Sequence, residues 1–234
     1  MILSVAIPCY NEARNIPLIL TRCKEVMRRD DVEIILVDNG STDDSPAVLR
    51  ALLPSYPFAR SIRVERNQGY GFGILAGLQS ARGEYIGWTH ADMQTDPGDC
   101  IKGLEMLLRR QNPGNVFVKG LRKGRSALDE CFTIGMSLFE TAYLWTPLWD
   151  INGQPNIFPR SFFEKWRNPP HDFSLDLYAL LMAKRTGLEV VRIDVRFPPR
   201  VHGESNWNTS LASKWKFIRR TLSFSRSLKK ELPP

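Results

Sequence analysis

The sequence lacks both a long hydrophobic run and a close pair of cysteines. Its longest apolar runs, such as residues 34–37, are far shorter than the roughly 20 residues that span a bilayer, so no transmembrane helix is predicted. The N-terminus has no basic leader and no cleavage site, and we interpret residues 3–7 as a strand. The wide cysteine spacing excludes a zinc knuckle or a redox dithiol and favours reduced, structural thiols in the cytoplasm. These cysteines are Cys9, Cys23, Cys100 and Cys131.

The composition is that of an ordinary folded, water-soluble protein, with 43% hydrophobic and 24% charged residues among 234. This length favours one domain with a sizeable core. The formal net charge of +7 indicates an anionic partner, which could be a nucleotide, a nucleic acid or a lipid surface. No helix-turn-helix, aromatic RNA platform or zinc module is present, so we do not expect a nucleic-acid partner.

Short runs rich in β-branched residues alternate with helical stretches along the first 110 residues. This alternation predicts a Rossmann-like α/β domain with a mostly parallel central sheet and helices on both faces. We place that single domain at residues 1–207, with halves at 1–110 and 111–207. The predicted strands cover residues 3–7, 33–37, 61–65 and 85–89, and the helices cover 16–29, 45–53, 73–81 and a stretch ending near Arg110.

The second half is less regular. A helix over residues 128–144 carries a broad apolar face with Phe132, Leu138 and Phe139, and we expect this half to build the site for a second substrate. A helix over 174–185 and a strand over 189–195 close the globular part. Residues 208–234 form a basic amphipathic tail, which predicts an interfacial helix on an anionic membrane surface. The alternative is a helix that packs its apolar stripe on the domain or on a second copy.

Polar residues follow three of the predicted strands directly. Pro8, Tyr10, Asn11 and Glu12 follow the first, Asp38 and Asn39 end the second, and residues 90–94 follow the fourth. Ligands of open parallel sheets bind outside the carboxyl ends of the strands, so these segments should face one crevice. A carboxylate such as Asp38 can accept hydrogen bonds from a base or ribose, and Tyr10 offers a flat ring.

The segment after the fourth strand has the residues of a metal site. In an extended chain, alternate side chains point the same way, so His90, Asp92 and Gln94 should converge. Oxygen ligands favour Mg²⁺ or Mn²⁺, and the imidazole shifts the preference toward Mn²⁺. Two structural roles compete with this interpretation: Asp92 could cap the following helix, and His90 could serve only as a hydrogen-bonding side chain.

The order of these motifs resembles the inverting family 2 glycosyltransferases of the GT-A fold. The resemblance covers about the first 100 residues and is closest to the dolichol-phosphate and polyprenyl-phosphate sugar transferases. Their metal motif reads Asp-Ala-Asp-Leu-Gln, whereas residues 90–94 read His-Ala-Asp-Met-Gln. The other matching segments are Val-Ala-Ile-Pro-Cys-Tyr-Asn-Glu at 5–12, Glu-Ile-Ile-Leu-Val-Asp-Asn-Gly-Ser-Thr-Asp at 33–43, Asn-Gln-Gly-Tyr-Gly at 67–71, Ala-Gly-Leu at 76–78 and Ala-Arg-Gly-Glu-Tyr-Ile at 81–86.

The resemblance implies a metal-dependent hexosyltransferase with a GDP- or UDP-sugar donor and a divalent cofactor, Mn²⁺ or Mg²⁺. Gly-Leu-Arg at 120–122 stands where relatives carry Gly-Ser-Arg, and residues 200–206 resemble their Arg-x-x-Gly-x-Ser-Lys segment, with Asn206 in place of the lysine. A second arginine that relatives use from the following helix has no clear counterpart. The implied donor contacts are Pro8, Tyr10, Asn11, Glu12, Asp38, Asn39, Asn67, Gly71 and Ala91. The implied catalytic residues are Asp92 and Arg200, the metal ligands Asp92, Gln94 and His90, and the acceptor-phosphate contacts Arg122, Arg200, Ser205 and Asn206.

We therefore predict sugar transfer to a polyprenyl phosphate by a cytoplasmic protein held peripherally on the inner face of the membrane. Two alternatives stay open. A hydroxyl acceptor in cell-envelope glycan synthesis would need a base, for which Asp172 or Asp176, with His171 nearby, are candidates. A catalytically silent nucleotide-sugar-binding protein would also account for His90 and Asn206. A dinucleotide-dependent oxidoreductase is not predicted, because residues 69–73 lack the required glycine spacing after the first strand.

Overall fold

The computed structural model describes residues 1–198, 219 and 221–229, and within them a seven-stranded sheet forms the centre of the molecule. The strand order is β3-β2-β1-β4-β6-β5-β7. The strands are β1 (Leu3–Cys9), β2 (Val32–Asn39), β3 (Ala59–Val64), β4 (Tyr85–Trp88), β5 (Val116–Lys123), β6 (Asn156–Pro159) and β7 (Glu189–Arg196). The helices are α1 (Ile16–Val26), α2 (Ser45–Leu52), α3 (Tyr70–Ser80), α4 (Gly98–Leu108), α5 (Ala127–Leu144), α6 (Arg160–Phe163) and α7 (Leu175–Arg185), and residues 219 and 221–229 form a helical C-terminal segment.

The first half follows the predicted alternation of strands and helices. β1 pairs in parallel with β2 and β4, and β2 pairs in parallel with β3. Two helix boundaries differ from the prediction by three residues: α1 ends at Val26 because Met27 has extended backbone, and α3 begins at Tyr70, directly after Gly69 at φ 113°. The predicted α/β fold with a mostly parallel sheet is confirmed.

Strand β6 is one of the elements that the sequence pattern did not indicate. It has four residues and runs antiparallel to both of its neighbours, β4 and β5. Because β6 is inverted between them, β4 and β5 run in the same direction, and β5 pairs in parallel with β7. The start of β6, at Asn156, therefore points toward the carboxyl ends of its neighbours, and it pairs with Trp88 at the end of β4 and with Lys119 in the middle of β5.

The two faces of the sheet bury separate apolar clusters. One cluster contains the stacked rings of Phe117 and Phe158, whose centroids are 5.3 Å apart, with Trp88 and Trp166 packed against Phe158. The other contains fully buried aliphatic residues of β1, β2, α1 and α4. Helix α3 lies so close to the sheet that a Cβ on Gly77 would be 2.5 Å from that of Ala6. The sheet is thus covered on both faces, so a ligand can approach it at the carboxyl edge.

The C-terminal segment packs against α5. Ser225 and Leu228 are buried, and the Ser225 hydroxyl lies 2.9 Å from both carboxylate oxygens of Glu140 in α5. Among the residues that the structure describes, no helix is long and apolar enough to cross a membrane. Most of the predicted interfacial tail, 208–234, lies outside the described residues. Its described part makes a packing contact of the kind that the alternative predicted.

Candidate active site

The loops after β1 and β2 are joined by hydrogen bonds between side chains and backbone. Asn11, in the left-handed region at φ 57°, accepts a hydrogen bond from the backbone N–H of Thr42 at 2.9 Å. Its own N–H donates to the Ser41 hydroxyl at 3.1 Å, and the N–H of Glu12 donates to the Ser45 hydroxyl at 2.9 Å. Asn11 and Glu12, both predicted donor contacts, therefore also fix the two loops against each other.

Asp38 is buried at the end of β2, and its carboxylate is held in place by two donors. The Ser41 N–H donates to Oδ1 at 2.9 Å, and the half-exposed Arg63 guanidinium donates to Oδ2 at 3.0 Å. Tyr10, after β1, is 43% exposed. Because β1 and β2 pair in parallel with Cys9 opposite Asp38, the two side chains stand at neighbouring strand ends. A flat ring and a fixed carboxylate are groups that can contact a base and a ribose.

A third loop, residues 170–172, meets the start of α3 at the same edge. The N–H of Phe72 donates to the His171 carbonyl at 3.0 Å, and a Cβ on Gly71 would lie 2.6 Å from the Pro170 carbonyl oxygen. Only glycine at position 71 permits this approach. Asn67 accepts from the Gly69 N–H at 2.8 Å and orders the turn before α3. Gly71 therefore has a structural role beside its predicted donor contact.

Asn39 lies next to Asp38 and is also buried. Its amide nitrogen donates to the Gly69 carbonyl at 3.0 Å, which links β2 to the start of α3. Its amide oxygen is buried and has no hydrogen-bond partner among the described residues. A buried unpaired acceptor costs stability. An oxygen of this kind at the carboxyl edge is available to a ligand that donates a hydrogen bond.

The metal motif begins directly after β4. Asp92 is buried, and its Oδ1 accepts a hydrogen bond from the Gln94 N–H at 3.1 Å across Met93, which is at φ 58°. The Gln94 amide nitrogen donates to the Pro198 carbonyl at 3.0 Å. The first N–H of the following helix, α4, is that of Gly98, and it donates to Asp96 Oδ1 at 2.8 Å. Asp92 is thus not the cap of α4, which removes one of the two competing structural roles.

His90 is part of a stack of three rings. Its imidazole lies 5.5 Å from the Tyr70 ring at an interplanar angle of 23°, and Tyr70 lies 4.5 Å from Phe173 at 12°. Burial, and next the nearby Asp176 carboxylate, raise the pKa of Tyr70 well above its ordinary value. The phenol therefore stays neutral at physiological pH. Stacking on Tyr70 gives His90 a packing role at the start of the metal motif, beside the predicted ligand role.

The described residues contain no group of three or more His, Cys, Asp or Glu side chains that could hold a metal by themselves. The residues present fit a cation that is shared with a ligand. Asp92 supplies a buried carboxylate, and His90 supplies an imidazole two positions away. Magnesium is commonly bound through one or two carboxylates together with substrate phosphates, and this donor set matches that pattern.

A fully buried polar network lies beneath the carboxyl edge, between β5, β6 and α7. The Lys119 ammonium donates to the Gly153 carbonyl at 3.0 Å and to the Asn156 side-chain oxygen at 2.6 Å, and it lies 3.9 Å from the Asp176 carboxylate. Asp176 accepts from the side-chain amides of Gln154 at 2.7 Å and Asn156 at 3.1 Å. Burial lowers the pKa of Lys119 to about 7 and raises that of Asp176.

The sequence pattern did not indicate Lys119, Gln154 or Asn156 as site residues. The available signal was a short polar stretch, 152–156, immediately before the apolar pair Ile157 and Phe158. Such a stretch could equally be an ordinary loop. It lies at the candidate site because β6 is antiparallel, which places the beginning of that strand, and not its end, at the carboxyl edge.

Arg122, near the end of β5, forms a buried ion pair with Asp150. Its guanidinium donates to Asp150 Oδ1 at 2.8 Å and 2.5 Å, and its N–H donates to Oδ2 at 2.7 Å. Although burial opposes it, Arg122 holds the pKa of Asp150 below its usual range. Arg192 donates to the Asp150 carbonyl, and burial, with the nearby Arg122, lowers the pKa of Arg125. Arg122 thus contacts the Asp150 carboxylate directly, Arg192 contacts the backbone carbonyl of the same residue, and Arg125 acts on Asp150 only through its charge.

The two base candidates in the loop before α7 and in α7 itself are both engaged within the protein. Asp172 Oδ1 accepts a hydrogen bond from the N–H of Ser174, the residue just before α7, at 2.9 Å. Asp176 belongs to the buried network with Lys119. The predicted site residues Arg200, Ser205 and Asn206 lie outside the described residues.

A cavity of about 560 Å³ borders the metal motif on the side of β5 and β7. Met93 and Gln94 form one wall, and Lys123 and Arg196, at the ends of the two strands, form another. Lys123 lies 3.7 Å from the Asp194 carboxylate, Arg22 pairs with Asp96, and Lys102 pairs with Asp99. The cavity lies across the metal motif from the β1 and β2 loops, where a second substrate could reach it.

Comparison with known proteins identifies this arrangement. The model of Glycosyl transferase family 2 matches residues 4–165, which is more than half of the chain. The chain belongs to glycosyl transferase family 2. The match includes the loops after β1 and β2, the metal motif, Lys119 and Arg122, and it ends before Asp172 and Asp176. The family resemblance deduced from the sequence motifs is confirmed.

Curated relatives of this family 2 member include two undecaprenyl-phosphate 4-deoxy-4-formamido-L-arabinose transferases. The protein from Pseudomonas savastanoi pv. phaseolicola is 38% identical over 100 residues, which cover 40% of this chain and 29% of the relative. The protein from Pseudomonas syringae pv. syringae is 36% identical over 126 residues, which cover 52% of this chain and 36% of the relative. The matched part therefore spans about a third of the length of these relatives.

Solved structures that resemble this family 2 chain are GT-A glycosyltransferases. Glucosyl-3-phosphoglycerate synthase from Mycobacterium tuberculosis, in complex with Mn²⁺, uridine diphosphate and glucosyl-3-phosphoglycerate, has a TM-score of 0.72 and 18% identity, and covers 100% of this chain and 81% of its own. A mannosyltransferase from Pyrobaculum calidifontis, in complex with GDP-mannose and Mn²⁺, has a TM-score of 0.71 and 20% identity, over 99% of this chain and 65% of its own. At these identities the likeness establishes the GT-A fold.

Proposed function

We propose that this chain is an inverting glycosyltransferase that moves a sugar from a nucleoside diphosphate sugar to a polyprenyl phosphate. The observation that carries the proposal is the meeting of the polar loops that follow β1, β2 and β4 at one edge of the sheet, with buried Asp92 in the loop after β4. Membership of family 2 supports sugar transfer. The names of the curated relatives support a polyprenyl phosphate acceptor, and the UDP and GDP-mannose complexes of the structural neighbours support either nucleotide.

The donor contacts divide between direct binding and support of the loops. Tyr10 and Asp38 face the base and ribose, and Asn39 offers its unpaired buried oxygen. Asn11 and Glu12 hold the loops in the binding conformation through their contacts with Thr42 and Ser45. The remaining donor-binding residues that we propose are Pro8, Asn67, Gly71 and Ala91.

Asp92, with His90 and Gln94, would hold the divalent cation, Mn²⁺ or Mg²⁺, together with oxygens of the donor diphosphate. When bound, the cation neutralises the charge that grows on the departing nucleoside diphosphate. The histidine replaces one carboxylate of the family motif and favours Mn²⁺ over Mg²⁺. Gln94 is fixed by its hydrogen bond to the Pro198 carbonyl and keeps the motif beside the cavity at the ends of β5 and β7.

The acceptor phosphate would bind among Arg122, Arg200, Ser205 and Asn206. A phosphate oxygen attacks the anomeric carbon as the bond from that carbon to the diphosphate oxygen breaks, so the nucleoside diphosphate leaves and the configuration inverts. A phosphate is already anionic and needs no base, whereas a hydroxyl normally does. The engagement of Asp172 and Asp176 in hydrogen bonds within the protein favours the phosphate over the hydroxyl acceptor of the alternative hypothesis.

In this proposal residues 1–110 bind the nucleotide sugar, and residues 111–207 bind the acceptor. A polyprenyl phosphate is embedded in a membrane, so the chain would work peripherally on the inner face of that membrane. The basic tail at 208–234 stays a predicted contribution to that attachment.

The test of the proposal is the replacement Asp92→Asn. We expect sugar transfer to fall by about 100- to 1,000-fold, the loss that follows removal of one transition-state-stabilising group. Transfer should be measured with UDP- and GDP-sugars, Mn²⁺ and a short-chain polyprenyl phosphate. Asp31→Asn is the matched control, because the partly exposed Asp31 lies at the opposite edge of the sheet, before β2.

Two outcomes would count against the proposal. Full activity of Asp92→Asn would show that Asp92 is not needed to bind a catalytic cation, and that the metal motif is wrongly assigned. An unmutated chain that binds a nucleotide sugar, seen as a rise in melting temperature, but neither transfers nor slowly hydrolyses it would indicate the catalytically silent binding protein.

A further inference from the structure

Helix α5 presents a row of apolar side chains to solvent, whereas two of its three buried residues, Ser137, Glu140 and Leu144, are polar. Ser137 and Glu140 are buried, whereas Leu138 is 61% exposed. A surface helix of a water-soluble domain has the opposite arrangement. The exposed apolar residues recur at helical spacing, and together we call them the outer face of α5: Leu128, Cys131, Ile134, Leu138, Phe139 and Trp145.

The outer face runs along the whole helix. Leu128 at its first turn is 84% exposed, and Trp145, just after its last residue, is 85% exposed. Eighteen helical residues extend over about 27 Å. Trp149, which is also exposed, lies shortly after the helix. A long apolar surface of this kind marks a place where a protein meets a partner or a membrane.

Positive charge borders the outer face. The Lys229 ammonium lies 4.5 Å from the centroid of the Tyr143 ring, and this ring stacks on Phe139 at 5.6 Å. Arg226, from the same C-terminal segment, is exposed. An apolar helix face with tryptophan at one end and cations at its border is the pattern of helices that lie in the interface of a bilayer with anionic lipids.

We propose that the outer face of α5 docks on the surface of a bilayer that contains anionic lipids, with the helix axis parallel to the membrane. This inference rests on the proposed function, because a polyprenyl phosphate must be reached from a membrane. The position of α5 suits this task. The helix begins at Ala127, shortly after β5 ends at Lys123, so the acceptor arginine Arg122 lies close to the docked helix in the chain.

The inference differs from the predicted role of the tail. The C-terminal segment contributes the bordering cations, but its Ser225 and Leu228 are buried against the rest of the protein. The apolar surface that would enter the lipid belongs to α5. Removal of the outer face should therefore abolish docking even when the basic tail is intact.

The experiment is flotation of the full chain with vesicles of phosphatidylcholine alone or of phosphatidylcholine with phosphatidylglycerol. We expect the unmutated protein to float with the anionic vesicles. Leu138→Glu should lower the bound fraction about tenfold, because burial of one leucine side chain contributes about that factor or more. Leu18→Glu in α1 is the matched control, since Leu18 is also an exposed leucine on a helix but lies outside the outer face, and it should float like the unmutated protein.

Activity measurements separate this inference from the proposed function. Leu138→Glu should transfer sugar normally to a short-chain, water-soluble polyprenyl phosphate and lose transfer to a long-chain acceptor in vesicles. If no variant transfers sugar but flotation still depends on Leu138, docking stands and the proposed function fails. Flotation of Leu138→Glu equal to that of the unmutated chain would overturn docking. A second result would also overturn docking: the unmutated protein does not bind vesicles and sediments as a dimer, and Leu138→Glu sediments as a monomer. The outer face would then bind a second copy of the chain.

Discussion

Glu33 in β2 and Glu140 in α5 are both buried, yet their carboxyl pKa values shift in opposite directions. Burial acts to raise both values. Glu33 receives hydrogen bonds from the Ser4 hydroxyl at 2.6 Å, the Arg60 guanidinium at 3.0 Å and the Arg82 N–H at 2.9 Å, and its pKa falls below the usual range. Among the residues that the structure describes, Glu140 accepts a hydrogen bond only from the Ser225 hydroxyl, and burial raises its pKa to about 7.

This contrast extends to the two halves of the molecule. In the first half, ionic groups such as Asp38 and Asp96 pair with arginines that are partly exposed. In the second half, the ion pair of Lys119 with Asp176 is almost completely buried. Desolvation of buried pairs is costly and is offset only when hydrogen bonding is complete. The first half therefore places its charges where a ligand can reach them, and the second half uses buried charges to hold a short inverted strand in position.

The largest effect that would test this contrast is the loss of Lys119. Lys119→Met removes the hydrogen bonds to Gly153 and Asn156 and leaves the buried Asp176 carboxylate without its cation. We expect the free energy of unfolding to fall by about 3–5 kcal/mol, the usual result of breaking a buried pair. Denaturant titration monitored by tryptophan fluorescence measures this loss.

The control for Lys119→Met is Lys102→Met. Lys102 in α4 pairs with the buried Asp99, but its own side chain is 68% exposed. The control should cost less than about 1 kcal/mol, because exposed ion pairs contribute little. An equal loss of unfolding free energy in Lys119→Met and Lys102→Met would show that the two halves do not differ in how their ion pairs contribute to stability.

The second prediction concerns pH. Since the folded protein holds a proton on Glu140 up to about pH 7 while the ordinary pKa is 4.5, stability contributed at this site is present below pH 4.5 and falls as the pH rises to 7. The expected loss is about 3 kcal/mol, at about 1.4 kcal/mol for each pKa unit. Glu140→Gln should remove this slope from urea-unfolding free energies measured across pH 4.5–7.

Glu33→Gln should have the opposite pH signature. Because the folded-state pKa of Glu33 is lowered, its contribution is present above pH 4.5 and is lost as the pH falls through the folded pKa. The Gln variant should therefore lose stability mainly at neutral pH. Identical pH profiles for Glu140→Gln and the unmutated protein would show that burial does not hold Glu140 protonated.

The first half could be predicted from sequence because its strands and helices follow local rules. Buried parallel strands appear as continuous β-branched runs, and the polar residues that end them mark the carboxyl edge. Asp38 and Asp92 were located in this way, and both lie at that edge. Their chemical roles remain predictions.

The second half could not be predicted to the same depth. β6 has four residues, too few for a periodic signal, and its direction depends on pairing with β4 and β5, which are distant in sequence. The apolar pattern of α5 is visible in the sequence, but periodicity does not reveal which side faces solvent. Lys119 sits between apolar residues of β5, and nothing local indicates that its ammonium is buried against Asp176.

The smallest expected effect is that of Asp38→Asn. This variant tests whether a charge of the first half contributes to ligand binding more than to stability. The asparagine oxygen can still accept from the Ser41 N–H, but the charge and one strong acceptor for the nucleotide are lost. We expect UDP or GDP to bind about tenfold more weakly in calorimetric titration, equivalent to about 1.4 kcal/mol. The free energy of unfolding should change by less than about 1 kcal/mol, since the lost ion pair is with half-exposed Arg63.

The control is Asp194→Asn, at the exposed Asp194 in β7, which should change neither the nucleotide affinity nor the free energy of unfolding. Unchanged nucleotide affinity in Asp38→Asn would place the base and ribose elsewhere along the carboxyl edge.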